Sequence, residues 1–338
     1  MHLKMKKIYF LIIMTVLAVT YFYAYHLKYP VKTIFSTSVI KEVCKNQEKK
    51  IKNKNFFDKN ITALVFFGRK QSVEILIKYL IVNLRKNGGI LDRIKFAVKT
   101  KNKDDLNYLN ELIKLYPNDF SKAEFNTFAS MYDLIENDEY FFKIDDDIVF
   151  IKNETFENMF IEYTSKNHMF LSANVINHPR LSDVHAFQGA IKPECNISYC
   201  NYSKISFCAQ GPVSFNNWWK EPDCAKLAHE SFFENFKNNN LKVYDFGLWD
   251  FHHVQYHRYS INFFLSQGKY VNKISKDYLN TEDELTISSL IPMKTNIHTF
   301  SLGKSLVCHY SYFTTFDGLV KFSHILQTYK NISDTYFK

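Results

Sequence analysis

The sequence predicts an α/β fold built on a doubly wound, mostly parallel sheet, with an N-terminal apolar span ahead of it and a less regular, aromatic-rich half behind it. Three observations carry this. From Thr62 to Phe150, short apolar runs of strand length alternate with amphipathic stretches of helix length, the order that gives a parallel sheet covered by helices. The first run is apolar throughout, as a buried strand is. The last, Tyr140 to Phe150, is broken at its centre by three consecutive carboxylates, Asp145, Asp146 and Asp147, where a buried strand would leave the core and turn.

Taken in order, Met1 to Lys7 is a basic tail with Lys4, Lys6 and Lys7, and no charged residue occurs from Ile8 to Tyr25. That run is long enough to span a bilayer if its flanks snorkel, and Tyr21, Phe22, Tyr23 and Tyr25 crowd its far end as an interfacial belt. A cleaved signal peptide shares the basic start and apolar core, but bulky residues stand where a small-x-small cleavage site is needed. The expected organisation is a tail over 1–7, an uncleaved transmembrane anchor over 8–27, a stem over 28–60 and one folded domain over 61–338. Lys28 and Lys32 blunt the positive-inside contrast. The short tail and long remainder still favour a type II protein with its domain in the lumen of the Golgi or ER. The polar tract Lys41 to Lys59 reads as the stem.

Hydrophobic residues make up 46% and aromatics 17% of the chain, enough for one large core. A net charge of +9 invites a nucleic-acid partner, but the lysines are spread along the whole chain, and so diffuse a balance is a weak argument for one; none is expected. Cys44, Cys195, Cys200, Cys208, Cys224 and Cys308 lack CxxC spacing, which argues against a zinc ribbon. In an oxidising compartment, Cys195, Cys200, Cys208 and Cys224 are close enough in sequence to staple one loop region. Sequons begin at Asn60, Asn153, Asn196, Asn201 and Asn331, about as many as a chain this rich in Asn shows by chance.

The first strand is Thr62 to Phe67, with Gly68-Arg69 at its exit. Ser72 is then expected to cap a helix through Lys86, with Val73, Ile77, Leu80, Ile81 and Leu84 facing inward and Glu74, Lys78 and Arg85 on a polar face. Asn87-Gly88-Gly89 stops that helix. Ile94 to Val98 is the second strand. Asp104 and Asp105 open a helix whose Leu106, Leu109, Leu112, Ile113 and Tyr116 recur at helical spacing. A third strand around Ala123 to Asn126 and a helix around Ser130 to Glu136 lead into the acidic strand.

This order places a site. In open α/β sheets ligands bind at the carboxyl ends of strands, near a topological switch point. Gly68-Arg69, Lys99-Thr100 and the acidic triplet would converge there. Three like charges at a buried strand end repel one another. A divalent cation removes that penalty, and oxygen ligands suit Mg²⁺ or Mn²⁺, which keep open positions for phosphate oxygens. Arg69 would hold a phosphate, although an acidic strand-to-loop turn and a surface arginine are also common without a ligand. No GxxxxGK[ST] loop or GxGxxG turn is present, so neither a Walker-type nucleotidase nor a dinucleotide oxidoreductase is indicated.

In the second half, His168 to Ile176 reads as a strand followed by the turn Asn177-His178-Pro179. Trp218, Trp219 and Trp249 are the only tryptophans; large aromatics are usually core, and stacking on an acceptor sugar is the functional use for which these three are candidates. Asp245 and Asp250 bracket Trp249, and His252, His253 and His257 follow without an HExxH pattern or a cysteine partner for zinc. His309 closes the apolar run from Ser305. A lone histidine there is usually structural, but beside a carboxylate metal site it becomes a plausible ligand.

The segment Lys143 to Phe150 resembles the DxD-type segment of GT-A glycosyltransferases. Val65 to Arg69, Asn87 to Gly89, Ser172 to Val175, Arg258 to Asn262 and Leu306 to Tyr312 look like further blocks of a family of fungal-type proteins with a GT-A core, a resemblance covering Ala63 to Phe313. It implies a GT-A-like fold and a nucleotide-diphosphate sugar held near Gly68, Arg69, Thr100, Asp145 and Asp146. It also implies a Mn²⁺ or Mg²⁺ ion on Asp145, Asp147 and His309, with Asp145 near the ribose or donor sugar. No motif fixes the catalytic base. For an inverting transfer a carboxylate must take the acceptor proton, and Asp250 is the candidate, with Asp245 and Glu284 as rivals.

The expected function is therefore transfer of a sugar to a glycan or glycoprotein hydroxyl. The alternatives are a metal-dependent nucleotidyl- or phosphotransferase on a similar sheet, and a non-catalytic, membrane-tethered binding protein derived from a transferase.

Overall fold

The computed structural model describes residues 58–192, 208, 217–252, 255–274 and 282–336. The predicted tail, the anchor over 8–27, nearly all of the stem, and Cys44, Cys195, Cys200 and His253 lie outside the described residues. Among the described residues, no helix is long and apolar enough to cross a membrane.

The architecture is α/β around one sheet. Strand β1 (Ile61–Phe67) is flanked by β2 (Arg93–Val98) and β4 (Tyr140–Asp145), and β3 (Phe120–Glu124) pairs with β2, all in parallel. This is the predicted doubly wound half. The chain moves outward through β2 and β3 and then returns to the other side of β1, so the switch point lies between β1 and β4. The sheet continues through β8 (Phe263–Gln267), β6 (Phe170–Ile176), β9 (Phe300–His309) and β5 (Ile148–Ile151), with β7 (Leu248–Asp250) also on β9. Here β5, β7 and β8 run antiparallel to their neighbours, while β6 and β9 keep the direction of β4.

The helices depart from expectation at their ends. Helix α1 (Lys70–Val82) starts before Ser72, whose hydroxyl makes no cap, and ends early in a 3₁₀ turn over Arg85–Asn87. It ends there because the backbone doubles back: Leu91 N–H donates to the Asn83 carbonyl at 2.9 Å, and a Cβ at Gly89 would lie 2.1 Å from that same carbonyl oxygen. Lys78, predicted on a polar face, is buried, with its ammonium on Ser333 Oγ at 3.1 Å and on Asp334. The helix holding those partners, near the end of the chain, covers a face that looks solvent-directed in the local pattern.

Asn102 caps α2 (Lys103–Leu115), accepting from the Asp104 and Asp105 amides at 2.9 and 3.3 Å. The third strand comes earlier than predicted. The helix expected from Ser130 is a short α3 (Phe128–Met131) capped by Thr127, continued by a 3₁₀ turn over Tyr132–Leu134. After β5 come α4 (Thr155–Lys166), α5 (Leu181–Phe187) and the long α6 (Pro222–Lys237). Short helices α7 (Gly268–Val271) and α8 (Ile291–Thr295), the latter preceded by a π-helical stretch over Thr286–Leu290, lead to β9, α9 (Phe313–Val320) and α10 (Ser323–Tyr336). Helices α1 and α10 pack on β5, and α4 packs across β6, β8 and β9. Cys224 at the start of α6 is bonded to Cys208, whereas Cys308 is a free, buried thiol.

Candidate metal centre

The predicted acidic strand is two strands. β4 stops at Asp145, Asp146 and Asp147 form the turn, and β5 returns against β9. Charged turn-formers at the centre of an apolar run supply the break. The register does the rest. Phe66 pairs with Asp145, bringing the end of β4 beside Gly68-Arg69. Ile148 pairs with His309, and the Tyr310 amide donates to the Asp147 carbonyl at 2.8 Å. Residues far apart in sequence thereby meet at the carboxyl edge of the sheet.

Asp145, Asp147 and His309 each present a ligand atom to one point, all within 4.8 Å of one another. Asp145 is half-buried and accepts from Asn262 Nδ2 at 3.0 Å and from the Lys143 ammonium. Asp146 is buried and accepts twice from Arg69, from Nε at 3.0 Å and Nη2 at 2.7 Å. Gly68 permits this approach, since a Cβ there would stand 3.1 Å from Asp146 Oδ2. Asp147 is fully buried. Arg69 Nη2 lies 3.0 Å from its Oδ2 and His309 Nε2 lies 3.2 Å from its Oδ1, but both are misaligned, and neither Asp147 oxygen makes a hydrogen bond. His309 Nδ1 is likewise without a partner.

Burial alone would raise both carboxyls. At Asp147 the charges of His309 and Arg69 win and hold its pKa well below the usual carboxylate range; at Asp146 burial prevails over the attraction of Arg69 and pushes the pKa up. Three carboxylates face two permanently charged side chains, Arg69 and Lys143, with the His309 imidazole as their third neighbour. Buried, ionised oxygens without donors are costly unless something cationic completes them. Two carboxylates and an imidazole converging in this state fit a divalent metal ion.

The other predicted residues fall differently. Arg69 is engaged by carboxylates, which in this state fill the role expected of a phosphate. Thr100 stands at the end of β2 as foreseen, but its hydroxyl serves the entry to α2, accepting from the Asn102 amide at 3.1 Å and donating to Asp105 at 3.5 Å. Trp218 is core: its ring is wholly buried and its indole N–H donates to Asp183 at 2.6 Å, so it offers no face to an acceptor. Trp219 is half-buried beneath the Lys220 ammonium, and half-buried Trp249 packs against Phe246 on β7.

Asp250 pairs with Phe300, the first residue of β9, whereas His309 is the last. Its carboxylate accepts from the His252 amide and from His298 Nδ1, each at 2.7 Å. Asp245 is exposed in a local turn on the Gly247 amide. Glu284 is bound by Arg258 Nε at 2.6 Å; burial raises its pKa against Arg258 and against Lys143, the lysine that holds Asp145. Of the three base candidates, Glu284 is thus the one that shares a charged neighbour with the acidic cluster. His252 is buried and His257 half-buried, and neither joins a metal cluster among the described residues.

No known protein family matches the chain, and no curated protein matches it. The residues that sequence reasoning passed over are Lys143, Asn262 and Tyr312. Lys143 and Asn262 hold Asp145, and Tyr312 donates to Asn262 Oδ1 at 3.2 Å and packs against the His309 ring. Only Lys143, two places before the triplet, carried a local signal: a lysine inside an apolar strand needs a buried anion.

Proposed function

We propose that this chain is a metal-dependent glycosyltransferase that moves a sugar from a nucleotide-diphosphate sugar to a glycan or glycoprotein hydroxyl. The observation that carries the reading is the Asp145, Asp147 and His309 group, in which a fully buried carboxylate has no hydrogen-bonding partner. Asp145, Asp147 and His309 would hold the ion, and the imidazole favours Mn²⁺ over Mg²⁺, which prefers oxygen. The bound metal would supply positive charge where a departing diphosphate gains negative charge.

The chain's own residues prepare that position. Lys143 and Asn262 fix Asp145, while Arg69 holds Asp146. With a divalent ion added, the cluster changes from net negative to net positive and attracts a diphosphate. The acceptor hydroxyl needs a carboxylate to take its proton. Asp250, steadied by His298, and Glu284, with its raised affinity for a proton, are the two candidates. The Cys208–Cys224 disulfide supports a lumenal domain behind a membrane anchor at 8–27.

The deciding experiment incubates the full-length protein with a panel of nucleotide sugars and Mn²⁺ and analyses the products. A released nucleoside diphosphate and a glycosylated acceptor, lost on chelation, are expected. Transfer of a nucleotidyl or phosphoryl group instead would assign a different transferase, and metal-dependent donor binding without turnover would leave a binding protein. Replacing the base should lower turnover at least about a hundredfold with little change in donor affinity; whichever of Asp250→Asn and Glu284→Gln does so holds the role.

A further inference from the structure

A second set of unpartnered buried groups lies on the same edge of the sheet, at the exit of β6. Asn177 donates through Nδ2 to the His309 and Tyr310 carbonyls at 3.2 and 3.1 Å, which ties this exit to the metal centre. His178 follows. Its Nε2–H donates to the Ser260 carbonyl at 3.0 Å, and its Nδ1 accepts from the Arg180 and Leu181 amides at 3.1 and 3.2 Å. The imidazole is therefore neutral and caps α5, so the backbone amides of this turn are already used.

The Arg180 side chain is not. Its Nε and Nη2 are shut off from solvent without a hydrogen bond, and it forms no ion pair among the described residues. The acid it senses is Asp183, which accepts the Trp218 indole proton; burial disfavours the Arg180 charge and Asp183 only partly restores it. His252 and His257 lie within electrostatic range of Arg180, and His252 Nδ1 is a further buried atom without a partner. A guanidinium presents a planar fork matched to carboxylate or phosphate oxygens. Half-buried and answered only in part by Asp183, it is poised to take a further anion.

We propose that Arg180 is the binding site for an anionic group, a carboxylate or a phosphate, on the substrate handled at the neighbouring metal centre. This rests on the transferase reading only for what the substrate is, and the binding itself can be measured without metal. Arg180→Gln and Arg180→Lys full-length proteins, in detergent with chelator, would be followed by thermal unfolding alone and with excess inorganic phosphate or free glucuronate.

A ligand that binds only the folded state raises Tm by mass action. At least one probe should stabilise the wild type and fail to stabilise Arg180→Gln, while Arg180→Lys, which keeps charge without the fork, should respond weakly. The unliganded Arg180→Gln protein should melt no lower than the wild type, because it loses a half-buried charge that Asp183 only partly offsets. A structural role for Arg180 predicts the opposite sign. Stabilisation by phosphate alone assigns a phosphoryl group, and stabilisation by glucuronate assigns a carboxylate-bearing sugar. The proposal is overturned if neither probe shifts the wild type, if Arg180→Gln responds equally, or if that variant is less stable than the wild type. An Arg180→Gln protein that does not fold counts as that destabilisation and overturns the proposal, as does an Arg180→Lys protein that responds to the probe as strongly as the wild type. Asp147→Asn separates the two claims, since it removes the metal centre and should leave the anion effect in place.

Discussion

Two buried histidines stand at the end of β9, and their surroundings differ in kind. His229, reaching in from α6, is satisfied on both sides: Nε2–H donates to the Tyr310 carbonyl and Nδ1 accepts from Tyr329 Oη, each at 2.8 Å. His309, one residue before Tyr310, has no partner on Nδ1 and faces an Asp147 carboxylate that is itself without hydrogen bonds. Both rings are buried, so burial does not distinguish them. Completeness of hydrogen bonding does. The region of His229 holds β9 against α6 and α10, whereas the region of His309 leaves polar atoms that could hold a metal ion. His178 and Arg180 repeat the contrast two residues apart.

The largest test of this division is acid. Burial lowers His178 and His185 to about 3 and His229 to about 4, against about 6.5 in an unfolded chain. Between those limits the unfolded state binds protons that the folded state refuses, so stability is full above about pH 6.5 and falls as pH falls. Three such groups remove roughly 4 kcal/mol per pH unit once they titrate in the unfolded chain. A domain of ordinary stability should then unfold at about pH 4 to 5. Circular dichroism across pH would check this; a folded protein at pH 3 would mean that these rings are not held neutral.

Next in size is His229→Leu, which strands the Tyr310 carbonyl and the Tyr329 hydroxyl. A loss of about 2–3 kcal/mol is expected in urea unfolding. His309→Asn, by contrast, strands no hydrogen-bonded partner and removes only the attraction that lowers the Asp147 carboxyl, so a smaller loss of about 1 kcal/mol is expected. The comparison fails if the two substitutions destabilise equally.

Legibility followed locality. The alternation from β1 to β4 and the switch point were readable because apolar periodicity is written within a dozen residues; the first helix was readable as a helix but not as a face, since it is buried nearly all round. The β5–β9 pairing was not, because nothing in Ile148–Ile151 names its partner; His309 was a candidate ligand from its place at the end of an apolar run and from resemblance, and register is what brings it to the cluster. Lys78 was misread because α10 covers it, while Trp218 lies in the core, the ordinary place for a large aromatic, and not at an acceptor site. Arg180 gave no sequence signal at all, since its significance lies in contacts it does not make.

The central claim is that Asp147 is buried for a metal. Isothermal titration of full-length protein with Mn²⁺, beside Asp147→Asn, tests it most directly. Saturable one-to-one binding to the wild type, at least about tenfold weaker in a folded Asp147→Asn variant, is the predicted result. Equal Mn²⁺ affinity in the two proteins, or none in either, would contradict it.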